Sequence, residues 1–339
     1  MISPINVKIL DIEYALPVKI ITNEQLQNEN PDWDMHNVET KSGVKERHIV
    51  SDGETAFDLA KQACDKLFIE GRQSKSDIDA LIFCTQSPDY IMPSNAFLLH
   101  DYLDLNENVL AFDYTLACSG YVYGLAIARA LIVSGTATKV LLATGDTYSR
   151  YINPGDRSAR VLFGDGAAVT LITASKTEEG IRDLMLATSG KHHSKFYIPA
   201  GGSRRPKEND PINEIDASGN VRTENDIHMD GMAVWSFIQS TVPLQIRSLM
   251  DRNFLSADDI HLFVFHQASK MTLESLRRAL RLPESKVYLN IARTGNLVSA
   301  SLPVALKNAL DESRIQTGNL ILISGFGVGL SWGSLLIKF

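Results

Sequence analysis

The 339-residue sequence contains only three cysteines, Cys64, Cys84 and Cys118, and no CxxC pair. An odd number without close spacing indicates neither a disulfide framework nor a cysteine zinc site. Histidine gives no metal signal either, because His192 and His193 are adjacent in a polar stretch without neighbouring acidic or cysteine ligands. We therefore predict no metal site, and each cysteine needs its own explanation.

Long apolar runs and an excess of positive charge are also missing. No segment approaches the roughly 20 apolar residues needed to cross a bilayer, and the amino-terminal segment lacks the charged and apolar regions of a secretion signal. The 33 lysines and arginines are outnumbered by 40 aspartates and glutamates, whereas general nucleic-acid binders are usually basic. These features predict a soluble, cytoplasmic protein with no nucleic-acid or membrane partner.

Short apolar segments rich in β-branched residues alternate with segments of helical periodicity. The helical patterns cover 55–70, 94–103, 121–134, 231–250, 270–281 and 299–312. The strand-like segments are continuously apolar, which is typical of sheets covered by helices on both faces. We therefore predict an α/β fold. The aperiodic, glycine-rich and charged segment at about 188–226 is expected to be a lid, a binding loop or disordered.

One βαβ arrangement occurs twice. DIDALIFCTQ at 77–86 is echoed by DIHLFVFHQ at 259–267, and each copy is followed by a turn, a helix-like segment and a further apolar strand. Overlaying the copies places Cys118 and Asn296 near corresponding turns at the head of a helix, and His266 directly after a buried strand. Open α/β sheets collect their ligands at such strand ends. The predicted halves are 1–175 and 176–339.

Each of these three side chains also has an ordinary explanation. A lone cysteine is usually structural, a histidine can belong to the core, and Thr-Gly-Asn is common turn chemistry. Cys118 stands out because TLACSGYVYG leads into a helix, whose positive end is expected to lower the thiol pKa and make the sulfur nucleophilic. For Cys64 and Cys84 we expect the structural role.

A cysteine, a histidine and an asparagine support two different chemistries. In a papain-like cysteine hydrolase, the histidine deprotonates the thiol and the asparagine orients the imidazole. In an acyl-condensing enzyme, Cys118 holds the acyl group as a thioester, while His266 and Asn296 stabilise the enolate that forms as a malonyl group loses CO2. The hydrolase is disfavoured because Cys118 lacks CGSCW surroundings and lies far from the amino terminus.

The glycine-rich segment GFGVGLSWG at 325–333 joins two strand-like segments. A dinucleotide-binding loop would open a helix instead, so nicotinamide binding is disfavoured. We interpret the segment as a tight turn whose backbone N–H groups approach the Cys118 sulfur and complete an oxyanion hole. A plain hairpin turn is the alternative.

Recognisable motifs are spread along nearly the whole chain. They are KSGVKERHI (41–49), ACSG (117–120), DRSARVLFGDGAA (156–168), HMDGMAVWSF (228–237), HQAS (266–269), GNLVSAS (295–301) and the carboxyl-terminal GFGVGLSWGSLLIKF. Together they resemble the β-ketoacyl-acyl-carrier-protein synthase III family of the thiolase superfamily. The resemblance implies a thiolase-like five-layer αβαβα fold built from two duplicated halves, and a homodimer. It also implies decarboxylative Claisen condensation of an acyl group from acyl-CoA with malonyl-acyl-carrier protein, with acyl-CoA as substrate and no cofactor.

The same resemblance assigns roles to individual residues. Cys118 matches the acylated nucleophile, and His266 and Asn296 match the decarboxylation pair. The backbone N–H groups of Cys118 and Val328 match the oxyanion hole. The further candidates are Lys41 and Arg157 at the CoA nucleotide, Met92 at the partner-contributed wall of the acyl pocket, Ser269 among the substrate contacts, and Arg277 and Arg278 on the carrier-docking surface.

Several positions depart from the family pattern. Ser269 stands where asparagine is usual, Lys41 where arginine is usual, and Val328 where glycine is common. These departures leave the three reactive side chains in place and indicate a specialised relative, in secondary metabolism or product decoration. Acyl transfer from Cys118 to a non-malonyl acceptor is therefore an alternative. A non-catalytic partner subunit is disfavoured, because all three side chains are retained.

Overall fold

The computed structural model describes residues 6–69 and 73–339. Its strands are β1 (Asn6–Ala15), β2 (Ile20–Thr22), β3 (Glu46–His48), β4 (Ala80–Cys84), β5 (Leu110–Tyr114), β6 (Lys139–Asp146), β7 (Gly166–Ser175), β8 (Gly180–Thr188), β9 (Phe196–Tyr197), β10 (Glu214–Ile215), β11 (Val221–Arg222), β12 (His228–Met229), β13 (Leu262–Phe265), β14 (Leu320–Gly327) and β15 (Ser331–Lys338). Its α-helices are α1 (Asn23–Glu29), α2 (Met35–Ser42), α3 (Ala56–Leu67), α4 (Asn95–Tyr102), α5 (Gly120–Val133), α6 (Arg157–Arg160), α7 (Gly231–Arg252), α8 (Lys270–Leu280) and α9 (Ser301–Asp311).

The predicted helical segments correspond to α3, α4, α5, α7, α8 and α9. The predicted end of the first of them, at residue 70, lies outside the described residues, as do residues 1–5 of the amino-terminal segment. No helix within 6–69 or 73–339 is long and apolar enough to cross a membrane.

Two sheets share one topology. The first has the order β1-β7-β6-β4-β5, with β4 parallel to both β5 and β6, and β7 antiparallel to β6 and β1. The second has the order β13-β14-β15-β8, with β14 parallel to β13, and β15 antiparallel to β14 and β8. A parallel bridge between Phe263 and Val287 stands where β4 pairs with β5 in the first sheet. The repeated sequence unit is therefore repeated in the strand topology.

Helices cover both faces of both sheets. α5 and α9 lie between the sheets, where α5 contacts β6 and β14 and α9 contacts β7 and β13. α3 and α4 cover the outer face of the first sheet, while α7 and α8 cover the outer face of the second. This αβαβα layering confirms the predicted fold class.

The residues of β4 show why its sequence is continuously apolar. Ala80 and Ile82 pack into the cluster that contains α5, whereas Leu81 and Phe83 pack into the cluster that contains α3. Successive side chains of a strand point to opposite faces, so a strand between two helix layers needs apolar residues on both.

The segment 188–226 is folded against the first half of the chain. It contains β9 and the hairpin formed by β10 and β11. Arg222 donates to the buried Asp156 carboxylate at 2.6 Å, and the Val221 N–H donates to the Gly155 carbonyl at 3.1 Å. This segment is therefore ordered, and its expected role as a lid or a binding loop stays a prediction.

Candidate active site

Cys118 lies in the turn that joins β5 to α5. Its side chain is 4% exposed and belongs to an apolar cluster that includes Phe163 and Val298. The hydroxyl groups of Ser119 and Ser331 are 2.7 Å apart, so the turn is bonded to the first residue of β15. The turn that carries Cys118 in the first half therefore lies against a strand of the second half.

The protonation state of Cys118 differs from the sequence-based expectation. Burial, together with the Asp146 carboxyl, raises the pKa of Cys118 to about 12. The backbone N–H groups of Cys118 and Val328 favour the thiolate and act in the opposite direction. The prediction of a lowered pKa was wrong, because desolvation of the thiolate outweighs the donors at the start of the helix. The free sulfur is a neutral thiol at pH 7.

The backbone of β14 runs directly against this sulfur. A Cβ atom on Gly327 would lie 2.9 Å from the Cys118 Sγ atom, which is closer than real Cβ atoms approach their neighbours. Only glycine therefore fits at this point. The backbone N–H of the next residue, Val328, favours the Cys118 thiolate, and the Val328 carbonyl accepts a 2.8 Å hydrogen bond from the Ser331 hydroxyl. The glycine-rich segment is the turn that the sequence predicted.

His266 follows β13 and is buried. Its backbone N–H donates to the Ser324 carbonyl at 2.8 Å, and its ring packs edge-on against Phe326, with centroids 5.7 Å apart. Burial lowers the pKa of His266 to about 3, so the imidazole is neutral at pH 7. Its Nδ1 atom is buried and has no hydrogen-bond partner in the described part of the chain. A neutral imidazole offers one N–H donor.

Asn296 is held by its own turn and by the segment after α6. Its backbone N–H donates to the Leu162 carbonyl at 2.8 Å, and its carbonyl accepts from the Gly164 N–H at 3.0 Å. Its side-chain Oδ1 accepts from the Val298 N–H at 2.9 Å. With the oxygen engaged, the Nδ2 amide group is the part of the side chain left to donate to a substrate.

β14 and Asp146 connect the segments that carry the three side chains. Phe326 contacts His266, and the adjacent Gly327 lies against Cys118. Asp146 ends β6, accepts from the Gln86 N–H at 2.8 Å and from the hydroxyl of Ser299, and raises the Cys118 pKa. Asp146 was not among the residues predicted from the sequence. The feature that could have identified it is its place as the carboxylate that ends the apolar segment KVLLATGD.

This geometry disagrees with a papain-like hydrolase. In that arrangement the asparagine side-chain oxygen accepts from the histidine and orients the imidazole. Here the Oδ1 of Asn296 accepts from the backbone of its own turn, and the His266 Nδ1 has no partner among the described residues. The thiol and the imidazole are also both neutral, so no ion pair forms between them.

Comparisons with known proteins agree with the motifs. Residues 112–190 match the family model of 3-oxoacyl-[acyl-carrier-protein] synthase III, and residues 250–339 match the model of its carboxyl-terminal part. The β-ketoacyl-[acyl-carrier-protein] synthase III of Caldanaerobacter subterraneus subsp. tengcongensis is 33% identical over 100% of this chain and 99% of its own.

Two solved structures are similar over nearly the whole chain. A crystal structure of 3-oxoacyl-(acyl-carrier-protein) synthase III has a TM-score of 0.96 and 39% identity, covering 98% of this chain and 100% of its own. A 3-oxoacyl-(acyl-carrier-protein) synthase from Burkholderia xenovorans has a TM-score of 0.90 and 31% identity, covering 98% and 94%. This chain belongs to the synthase III family. The predicted family and the predicted class of acyltransferase are thereby confirmed.

Three aromatic rings belong to the apolar cluster that contains Cys118 in this synthase III. Tyr148, Phe163 and Phe196 have ring centroids 5.4 to 6.3 Å apart and share the apolar cluster of Cys118. The Tyr148 hydroxyl donates to the Gln86 side chain. The three rings are therefore part of the apolar packing that contains the Cys118 turn.

A cavity of about 880 Å³ opens between the 188–226 segment and the start of α7. It is lined by Arg222, Gly231, Met232 and Trp235, and by Ser158 from α6. Arg157, a sequence-predicted nucleotide contact of synthase III, is the first residue of α6. Lys41, the other predicted nucleotide contact, is exposed in the last turn of α2.

The remaining predicted residues lie in different settings. Met92 is 80% exposed, in the loop before α4. Ser269 caps α8, since its hydroxyl oxygen accepts from the Thr272 N–H at 3.1 Å. Arg277 is bonded to Glu274 on the same helix. Arg278 is exposed on α8.

We expect Asp146→Asn to make Cys118 more reactive. The substitution removes a negative charge that raises the thiol pKa, so the thiolate fraction at a given alkaline pH increases. The rate of alkylation by iodoacetamide, followed by intact mass between pH 7 and 10, measures this. The rate profile of the variant should shift to lower pH.

Asp165→Asn is the matched control. Asp165 is also a buried carboxyl whose pKa is raised by burial, but it is not among the groups that shift the Cys118 pKa. Its alkylation profile should stay that of the unchanged protein. An unshifted profile for Asp146→Asn would contradict the electrostatic coupling between Asp146 and the sulfur.

Proposed function

We propose that this synthase III condenses an acyl group, taken from acyl-CoA onto Cys118, with malonyl-acyl-carrier protein. The observation that supports this best is the burial of a neutral thiol, a neutral imidazole and an asparagine whose amide group is left to donate. The backbone N–H groups of Cys118 and Val328 favour negative charge at the sulfur. Donors without a general base favour the stabilisation of oxyanions over the activation of water.

In the first step the Cys118 sulfur attacks the thioester carbonyl of acyl-CoA. The bond between the acyl carbon and the CoA sulfur breaks, and the thiol proton leaves with the CoA sulfur. The N–H groups of Cys118 and Val328 hold the oxygen that becomes negative in the tetrahedral intermediate. Because the resting thiol has a raised pKa, proton loss and attack on the carbonyl are coupled. We assign the CoA nucleotide to Lys41 and to Arg157, whose neighbour Ser158 lines the cavity described above.

In the second step the malonyl carboxylate leaves as CO2, and its bonding electrons form a thioester enolate. His266 and the Asn296 amide donate hydrogen bonds to the enolate oxygen. The enolate carbon then attacks the acyl carbon on Cys118, and the sulfur leaves and regains a proton. The neutral His266 imidazole keeps one N–H group, which is sufficient to donate a hydrogen bond to the enolate oxygen.

Intact-mass spectrometry with a panel of acyl-CoAs tests this assignment. The protein should gain one acyl group, and Cys118→Ala should gain none. Malonyl-acyl-carrier protein should then remove the adduct as a β-ketoacyl product. His266→Ala and Asn296→Ala should still acylate but lose malonyl decarboxylation by about 100-fold or more, the usual effect of deleting an oxyanion donor.

Other outcomes would change the assignment. Failure of every acyl-CoA to label Cys118 would remove the condensing function. A stable adduct that does not respond to malonyl-acyl-carrier protein would favour the alternative, transfer to a non-malonyl acceptor. Normal decarboxylation in both His266→Ala and Asn296→Ala would refute their assigned role.

We also propose a homodimer formed across the β5 edge of the first sheet. β5 is the last strand of that sheet and has a free hydrogen-bonding edge within the described chain. Beside this sheet, in the loop before α4, Ile91 is 97% exposed and Met92 is 80% exposed. A second copy covers both an open strand edge and such an apolar surface. In this dimer Met92 contributes to the acyl pocket of the partner.

Charged substitutions at this surface should separate the subunits. We expect the double variant Ile91→Lys, Met92→Lys to shift the mass measured by light scattering from dimer to monomer, because two charges would be buried without partners. Phe254→Lys is the control, since Phe254 is 96% exposed elsewhere on the molecule. A dimeric double variant, or a monomeric unchanged protein, would contradict this interface.

For the carrier protein we propose a docking surface on α8. Arg277 is already paired with Glu274, whereas Arg278 is exposed on the same helix. Acidic partners are attracted by exposed arginines. Arg278 is therefore the main contact, and Arg277 supports the surface.

Reversal of this charge should affect the carrier step alone. For Arg278→Glu we expect the KM for malonyl-acyl-carrier protein to rise about tenfold, the effect of about 1.4 kcal/mol. The rate of Cys118 acylation by acyl-CoA should stay unchanged. Arg182→Glu, on β8, is the control for net charge, because Arg182 is also exposed. Equal KM values for the two variants would show that α8 is not the docking surface.

A further inference from the structure

Arg47, in β3, is a buried charge with an unusual set of partners. Its side chain is 1% exposed, the largest of the fully buried side chains in the described chain. It donates to the Ile21 carbonyl at 3.0 Å, to the Asn23 side chain at 2.7 Å and to the Val161 carbonyl at 2.9 Å. No carboxylate in 6–69 or 73–339 lies within ion-pair distance. Burial lowers the pKa of Arg47 to about 10, which leaves it protonated at pH 7.

A buried cation without a counterion costs stability unless its donors are used. The planar guanidinium can reach several oxygens at once in a fixed geometry, which a lysine cannot do. Here those oxygens come from three segments: the end of β2, the start of α1, and the chain directly after α6. Arg47 therefore fixes these segments relative to one another.

The segment after α6 is the one that holds Asn296. Val161, which accepts from Arg47, precedes Leu162, whose carbonyl accepts the Asn296 N–H at 2.8 Å. The Gly164 N–H then donates to the Asn296 carbonyl at 3.0 Å. These two hydrogen bonds set the backbone of Asn296, and with it the direction of the side-chain amide.

Arg47 also lies against the turn that carries Asn296, at Gly295. Gly295 has a φ angle of +68°, and a Cβ atom there would lie 3.2 Å from the Cβ of Arg47. The flanking residues of β3 make further contacts: the Lys45 N–H donates to the Ala292 carbonyl, and the His48 carbonyl accepts from the Asp165 N–H, both at 2.8 Å. β3 therefore supports the Asn296 turn in two ways, by direct contact and through the segment after α6.

We propose that Arg47 is a positioning residue for decarboxylation, acting through Val161 and Leu162 on Asn296. The inference rests on the proposed role of Asn296 in the second step. It requires nothing of Cys118, which lies in a different turn. Loss of Arg47 should therefore slow enolate formation and spare acylation.

The two half-reactions test this separation. For Arg47→Met we expect the release of CO2 from malonyl-acyl-carrier protein to fall about 10- to 100-fold, the effect of misplacing a catalytic group by about 1 Å. Arg47→Lys should recover part of the rate, because it keeps the charge but not the fork of donors. The acylation rate of Cys118 should change less than about threefold in both, within the scatter of surface substitutions.

Asn296→Ala supplies the reference for a double-mutant cycle. If Arg47 acts through Asn296, Arg47→Lys in the Asn296→Ala background should change CO2 release by less than about twofold. If Asn296→Ala alone leaves CO2 release intact, the proposed function of Asn296 fails. The positioning inference fails if Asn296→Ala abolishes CO2 release while Arg47→Lys leaves it intact. It also fails if the fold losses of the two single variants multiply in the double variant.

Arg252→Met is the structural control, because Arg252 also joins two segments through three hydrogen bonds, to Asp183 and the Leu184 carbonyl. Arg252→Met should lower the unfolding temperature, and any loss of rate should be the same for acylation and for CO2 release. Should Arg47→Met fail to fold, Arg47→Lys still decides the question. A parallel fall of acylation and CO2 release in Arg47→Lys would show a purely structural role and overturn the inference.

Discussion

The contact between Gly327 and the Cys118 sulfur is the constraint on which the site depends. A strand from the second half lies so close to Cys118 of the first half that no side chain fits between them. This closeness lets the Val328 N–H influence the thiol pKa, and the residue before Gly327, Phe326, packs against His266. The two sheets must therefore keep their relative position for the site to exist.

Burial then determines the ionisation of the site. It raises the pKa of the Cys118 thiol, lowers that of the His266 imidazole, and raises that of Asp146 to about 7. The thiol and the imidazole are therefore neutral at rest and form no ion pair with each other. The hydrogen-bond donors of such a site stabilise the negative charge that develops on a substrate oxygen, as thioester condensation requires.

The duplication explains the division of labour between the halves. Cys118 and Asn296 occupy matching turns in front of α5 and α9. In the proposed mechanism, one repeat therefore provides the acylation turn and the other the enolate turn. Asp146 links them, since it ends β6 and accepts hydrogen bonds from Ser299. Each half contributes different reactive side chains, whereas contacts between the two halves hold those side chains in position.

The sequence by itself determined the layered α/β fold, the repeat, and the placement of Cys118, His266 and Asn296 at strand ends. These features follow from local periodicity and from motif order, which the chain displays directly. Only the tertiary structure decided the thiol pKa, the roles of Asp146 and Phe196 around the sulfur, and the position of Arg47 beneath the Asn296 turn. Each of these depends on burial, or on contacts between residues about 30 to 250 positions apart, and neither desolvation nor long-range packing is visible in a local pattern.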